Sequence, residues 1–322
     1  MENIAKTFKK HNEKLSKTTS IEFIANDDSI SLYRWHIGTI VHLFNRTFSK
    51  ICAEKYSKIP LTKSLSSCAY MKSKQQIVIC DWKDECLKVV DLNGKYIGKY
   101  NANIRFFLPY AICISKKNEI FVAGQCFSSI YVLNSDFQLV KEFNDELIRK
   151  PFSMAIDDNN NHLYTSDYYN NMICIFDSQT GEYLNQIEIN KPKHIALNDE
   201  HIFVISKNSI NVISKKEPDY EIIHVVELNS WYLPRSIFIE KIDYCKNDNI
   251  MKLFTIAYNI DPNRHQNTSP TLYLLLISQN DFNCIQKTKL NVNRTNDMCI
   301  VDRRLFVITE NQETPLYIVD FE

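Results

Sequence analysis

A four-beat unit recurs along this chain and restricts its folding more than any other feature. The clearest copy, PFSMAIDDNNNHLYTSDYYNNMICIFDSQTGEYLNQIEI (residues 151–189), holds four short apolar segments: Ser153–Ile156, His162–Thr165, Met172–Phe176 and Glu182–Ile189. Asp-Asp-Asn-Asn-Asn, Asp-Tyr-Tyr-Asn-Asn and Asp-Ser-Gln-Thr-Gly separate them, and these are turn-forming residues. Segments this short, rich in β-branched and aromatic residues, form strands rather than helices. The stretch before it keeps the same order (PYAICIS, EIFVAG, SIYVLN, FQLVKEF; residues 109–143). So does the stretch after it (PKHIALN, HIFVIS, SINVIS, EIIHVVEL; residues 192–228). Residues 65–100 and 21–56 give looser copies, and residues 234–290 another with a long insertion. The last copy, 297–322, supplies only MCIVD, RLFVIT and LYIVDF.

One such unit cannot bury its apolar faces alone, so neighbours must stack. A spacing of roughly 40 to 46 residues is the period of a β-propeller blade. The expectation is an all-β fold, a single domain over residues 1–322, with seven four-stranded antiparallel blades. These fall at 21–56, 65–100, 109–143, 151–189, 192–228, 234–290 and 297–322. The short last copy would leave an open edge, which native sheets avoid. KTFKKHNEKLSKTTSIEF parallels CAEKYSKIPLTKSLSSCAY: an aromatic, lysine-rich strand, a polar stretch, then a new first strand. The N-terminal strand, residues 5–11, is therefore expected to complete the seventh blade and close the ring. Six blades, with the N-terminal copy arranged differently, is the alternative.

Pro151, Ala155, Asp157, Tyr164, Asp167, Asn170, Ile173, Phe176, Asp177 and Gly181 follow a pattern that resembles the NHL repeat of β-propellers. Asp81, Asp91 and Gly94 match it in part, whereas Gly124 and Ser206 stand where Asp81 and Asp167 stand in their own copies. The close resemblance covers residues 65–200. The GH and WD dipeptides of WD40 repeats are missing, so a WD40-like propeller fits less well. The resemblance implies a rigid disc used as a scaffold or recognition module, in some members for RNA; others are metal-dependent lyases or hydrolases. The repeated aspartates also read simply as turn residues that accept backbone N–H groups.

Catalytic motifs are missing: no GxSxG, P-loop, GxGxxG or HExxH, and five glycines leave little for phosphate-cradling loops. The eight histidines are dispersed, so no catalytic residue, metal ligand or cofactor is assigned, and a tunnel-based hydrolase or lyase ranks third. Lys+Arg and Asp+Glu balance at 38 each, which excludes a global basic field. No stretch approaches the 18 apolar residues of a membrane span. The lysine-rich N-terminus lacks the apolar core of a secretory signal. Cys68, Cys113 and Cys299 lie inside apolar runs and read as small core hydrophobes in a reducing compartment. A cytoplasmic location follows as the expectation. The Asn-, Lys- and Ile-rich usage resembles that of AT-rich genomes, including protists and giant DNA viruses; a viral chain would occupy host cytoplasm or virion.

Cations recur just before each first strand: Lys17, Lys63, Arg105, Arg149, Lys150, Lys191, Lys193, Arg235 and Arg294. Loops between blades share one face with the loops joining second and third strands, so these cations are expected to ring one mouth of a central channel. Phe106, Phe107, Tyr110, Phe152, Trp231 and Tyr232 lie beside some of them. Arg with aromatics suits phosphate contact and base stacking; polar loops of a lysine-rich protein would also carry such cations anyway. Trp35, Trp82, Tyr168, Trp231 and His265, the last within an insertion at 259–270, complete the binding candidates. A protein partner on this loop-bearing face is the first reading; RNA or a phosphopeptide on the basic ring is the second.

Overall fold

The structure is a computed structural model that describes residues 21–23, 64–104, 108–124, 129–144, 151–228, 232–241, 251–259, 271–277, 286–289, 295–301, 304–309 and 315–320. Among these residues the regular structure is six antiparallel sheets, which follow one another in the chain. The first holds Leu65–Met71, Gln76–Asp81, Cys86–Asp91 and Tyr96–Tyr100. The second runs from Pro109 to Asn144, the third from Pro151 to Glu188 and the fourth from Pro192 to Glu227. Each of these four has its strands in sequence order. The fifth, Tyr232–Lys241, Met251–Asn259, Thr271–Ile277 and Gln286–Lys289, gains Ile21–Phe23 as an outer fifth strand. The last has three strands: Thr295–Val301, Arg304–Thr309 and Leu316–Asp320.

Burial explains why the sequence repeats as it does. Second strands such as QIVICD and HIFVIS are buried along nearly their whole length, because each sheet is covered on both faces. A strand buried on both faces reads as a continuous apolar run and not as an alternation. The fourth strands sit outermost and do alternate, as in Tyr183–Glu188. Separate apolar clusters fill the spaces between sheets. Val78, Leu87 and Val89 pack on Ile120 and Val122 of the second sheet. From the other face of the same first sheet, Ile77, Ile79 and Val90 pack on Val301, Phe306 and Ile308 of the last.

Each first strand also packs on the first strand of the next sheet, and Thr295–Val301 packs on Leu65–Met71. The first and last sheets are thereby neighbours, with no space between them for a seventh blade. This corrects the sevenfold expectation. Five sheets carry four or more strands, and the last carries three. Ile21–Phe23, placed as the opening strand of a blade at 21–56, pairs antiparallel with Gln286–Lys289 at the outer edge of the fifth sheet, and the rest of that blade lies outside the described residues. The closing strand placed at 5–11 lies outside the described residues. No helix among the described residues is long and apolar enough to cross a membrane.

Candidate functional site

Every first strand begins with the same irregularity. Opposite the end of the second strand the register slips by one residue, just after Leu65, Pro109, Pro151, Pro192, Pro234 and Thr295. Bulges re-aim side chains and cluster next to binding sites. The next residues are Ser66, Tyr110, Phe152, Lys193, Arg235 and Asn296. All are half-buried, while the residue before each of them is buried. Because the first strands are innermost, these residues stand around one mouth of the central space, in that order. Two aromatics, two cations, an amide and a hydroxyl therefore form contiguous sectors.

One residue further along stand Ser67, Ala111, Ser153, His194, Ser236 and Asp297, and here the fold is tied together. Asp297 is buried, and it accepts hydrogen bonds from Ser67 Oγ (2.8 Å), Cys68 N (2.9 Å) and Ser236 Oγ (2.6 Å). His194 Nε2 lies 2.9 Å from its Oδ1. One carboxylate thus joins the first, fourth, fifth and last sheets. Burial alone would raise the Asp297 pKa. The charge and hydrogen bond of His194, with Ser236 Oγ and Cys68 N, outweigh that and hold it below the ordinary aspartate value. Two polar atoms at this level, Ser66 Oγ and His194 Nδ1, are buried without a hydrogen-bond partner among the described residues.

Beside the cation sector runs a row of rings. Tyr110 meets Phe152 edge-on (5.7 Å between centroids), Phe152 meets Tyr168 (6.0 Å), and Tyr168 meets Tyr169 (5.4 Å). Lys191 Nζ lies 5.9 Å from the centre of the Tyr168 ring, within cation–π range. A shallow groove lined by Asn170, Asn171, Gln186, Glu188 and Asn190 opens at the same end of the third sheet. Burial, and after it the charge of Arg235, holds the Lys193 pKa below the ordinary lysine value. Among the described residues no carboxylate pairs with the Lys193 ammonium.

Of the basic residues expected from sequence, Lys193 and Arg235 are near enough for the charge of one to act on the other, and Lys191 lies over Tyr168. Lys17, Lys63, Arg105, Arg149, Lys150 and Arg294 lie outside the described residues, as do Trp35, Phe107, Trp231 and His265. Tyr168 belongs to the aromatic row. Trp82, just after the first sheet's second strand, is 37% exposed, and its backbone N–H donates to Ser64 O. Sequence reasoning missed Ser66 and Asn296 and did not single out the Asp297–His194 pair. A strand-opening proline precedes Tyr110, Phe152, Lys193 and Arg235 and marks their position, whereas Ser66 and Asn296 follow Leu65 and Thr295 and carry no such mark.

Two further ionic clusters are built into the sheets. Lys88, buried in the first sheet, places Nζ 2.7 Å from Asp81 and 2.6 Å from Asp84. Desolvation would lower the Lys88 pKa, but the hydrogen bonds to Asp81 and Asp84 prevail and raise it. On the opposite face Lys215 Nζ lies 2.7 Å from Asp157, both side chains being buried. No group of three or more metal-ligating side chains occurs among the described residues.

No protein-family model matches the chain, and no curated protein matches it in sequence. Solved structures match in shape. A streptogramin B lyase structure aligns with 83% of this chain and 96% of its own, at TM-score 0.57 and 13% identity. The Pan2 WD40 domain of Neurospora crassa aligns with 76% of this chain and 72% of its own, at TM-score 0.55 and 11% identity. At such identities the likeness is one of fold. The chain is a β-propeller of four-stranded antiparallel blades, and the NHL resemblance is one of pattern without a matching family model.

Proposed function

We propose that this propeller is a non-catalytic recognition module that holds the anionic segment of a protein partner at the mouth of its central channel. The observation that supports it is the sector of adjacent cations, Lys193 and Arg235, set on neighbouring first strands with the aromatic row beside them. A reducing, cytoplasmic setting fits the six described cysteines, all buried and none of them in a disulfide.

The test is affinity capture of the partner with wild-type protein and with the double variant Lys193→Glu/Arg235→Glu, each checked for an unchanged melting curve. Capture should be lost in the variant and should weaken as salt rises. Capture that is indifferent to both changes would sink the proposal. A second reading, single-stranded RNA, is favoured by the aromatic row and by Lys191 over Tyr168, since bases stack on such rings. It requires an affinity for oligo-uridine that falls steeply with salt and with Lys191→Glu.

A further inference from the structure

We propose that the groove at the outer end of the third sheet binds a neutral saccharide, its hydroxyls held by Asn171, Gln186, Glu188 and Asn190 and a pyranose face laid on the Tyr169 ring. This site goes beyond the recognition reading above. Gln186 and Glu188 lie on the outermost strand of their sheet, whereas Lys193 and Arg235 lie on first strands, the innermost.

The third sheet carries here what its repeat does not require. Residues 168–171 join its second and third strands, as residues 82–85 join those of the first sheet. Tyr169, Asn170 and Asn171 stand where the first sheet has Lys83, Asp84 and Glu85. Gln186, opposite Cys174, stands where Lys99 lies opposite Lys88. The fourth sheet turns in two residues, Lys207 and Asn208, and has Val225 in the place of Gln186. The same strands thus form without this set in the first and fourth sheets, and amides gather beside an exposed ring only in the third of these sheets.

The groove measures about 510 Å³, within the range of small-molecule sites. Its walls are fixed in advance. Asp167 accepts the backbone N–H groups of Tyr169 (3.1 Å) and Asn170 (3.0 Å) and the Asn170 amide (2.9 Å). Asn171, at φ 57°, accepts Ile189 N–H on its carbonyl (2.9 Å) and Lys191 N–H on Oδ1 (3.0 Å). The turn is thereby tied to the chain leaving the fourth strand, and a preorganised site loses less entropy on binding.

The unused hydrogen-bonding groups select the ligand. Gln186 Oε1 accepts the Tyr183 O–H at 2.9 Å. The NH₂ groups of Gln186 and Asn171 then make no hydrogen bond among the described residues, nor do the Glu188 carboxylate and the Asn190 side chain. Donors and acceptors therefore lie side by side. A hydroxyl both donates and accepts, so a row of neighbouring hydroxyls matches such a set. A phosphate only accepts and is repelled by Glu188, while an ammonium only donates and finds NH₂ groups. Tyr169, 64% exposed on the same turn, supplies the apolar face that the C–H bonds of a pyranose cover. Its edge-on contact with Tyr168, 5.4 Å between centroids, holds that ring in place.

The experiment is a saturation-transfer-difference NMR titration of the full chain with maltotriose, cellotriose and N,N′-diacetylchitobiose, with oligo-uridine as the comparison. At least one saccharide should bind at millimolar concentration or below, with the strongest transfer to its ring C–H protons. Tyr169→Ala and Glu188→Ala should each weaken it by about tenfold, and Tyr169→Phe should retain most of the affinity. Lys193→Glu/Arg235→Glu should leave it unchanged, with melting curves confirming that each variant folds. No saccharide binding at millimolar concentration, or binding that survives both Tyr169→Ala and Glu188→Ala, overturns the proposal. So does oligo-uridine that binds more tightly than every saccharide and gains affinity in Glu188→Ala, since the groove then takes a phosphate-bearing ligand. If the saccharide binds while capture through Lys193 and Arg235 fails, the channel-mouth reading falls alone; the reverse result removes the groove alone.

Discussion

Gly181 and Asn161 show how single residues allow strands to turn so often in a chain with so little glycine. Gly181 has φ of 79°, in the turn after Asp177, whose carboxylate accepts the N–H groups of Gln179 and Thr180. A Cβ built there would lie 2.3 Å from the Phe143 ring of the neighbouring sheet. Asn161, at φ 55°, carries a side chain that tolerates left-handed geometry better than most. Gly181→Ala should therefore cost at least about 2 kcal/mol by chemical denaturation, from backbone strain and the clash with Phe143. Asn161→Gly should change stability by less than about 0.5 kcal/mol and Asn161→Val should cost about 1–2 kcal/mol. A Gly181→Ala protein as stable as wild type would contradict the account. The equivalence of Gly94 and Gly181 and the turn role of asparagine were legible in the sequence. Left-handed Gln75, Glu85, Lys191 and Lys207 were not, because all four are exposed loop residues whose geometry is set by the backbone of the turn and not by a side chain suited to it.

Strands and turns were readable because each sheet is buried on both sides and so spells continuous apolar runs between Asx-rich turns. What was not readable is which edge a strand joins. Ile21–Phe23 looks like the first strand of a blade, yet it pairs at the outer rim of the fifth sheet, and backbone pairing of that kind leaves no periodic mark. Buried charge within an element was equally hidden. Lys88 occupies a register position that Cys174 and Asn211 hold in the third and fourth sheets, and Asp81 matches Ser206 of the fourth. Lys88→Met should cost about 3–5 kcal/mol, since it leaves Asp81 charged and buried. Copying the fourth sheet with Asp81→Ser/Lys88→Asn should recover most of that loss, because pair and penalty leave together; a double variant no better than the single would refute the argument. Asp157 and Lys215 supply the pH test. Burial opposes the Asp157 charge, but Lys215 and the N–H groups of Asn159 and Asn160 prevail, so the folded pKa is depressed. Its stabilisation is complete above the unfolded pKa and is lost as pH falls through the folded value. In Asp157→Asn the drop in melting temperature below about pH 4 should be shallower than in wild type.

At the scale of the whole molecule the question is what holds a circle of sheets, each packed chiefly on its two neighbours, against opening at one seam. A repeat array gains stability from each interface, and loss of one interface opens the array there. Among the described residues, the join between the last and first sheets is the only one between neighbouring sheets made by residues far apart in sequence, so its closure carries the largest entropy cost. Asp297 stands at that join, bonded to Ser67 Oγ and Cys68 N across it and to Ser236 and His194 on other sheets. Asn296 Nδ2 to Leu65 O and Arg304 to Leu92 O reinforce the same seam. Removing the carboxylate strands several buried donors at once, so Asp297→Ala should lower stability by about 3–5 kcal/mol, well beyond Ser67→Ala or Ser236→Ala. Asp297→Asn keeps one acceptor and should fall between. The location of the loss is the sharper readout. Amide hydrogen exchange in Asp297→Ala should rise first in Leu65–Met71 and Thr295–Val301, while the third sheet, Pro151 to Glu188, keeps its protection. Uniform loss of protection would show that Asp297 stabilises the ring as a whole and not the seam. Because His194 and Ser236 share the carboxylate, the same variant should also loosen the floor beneath Lys193 and Arg235. Partner capture should then drop more in Asp297→Ala than in Arg304→Ala, whose bonds to Leu92 O and Asn93 Oδ1 lie at another point of the seam.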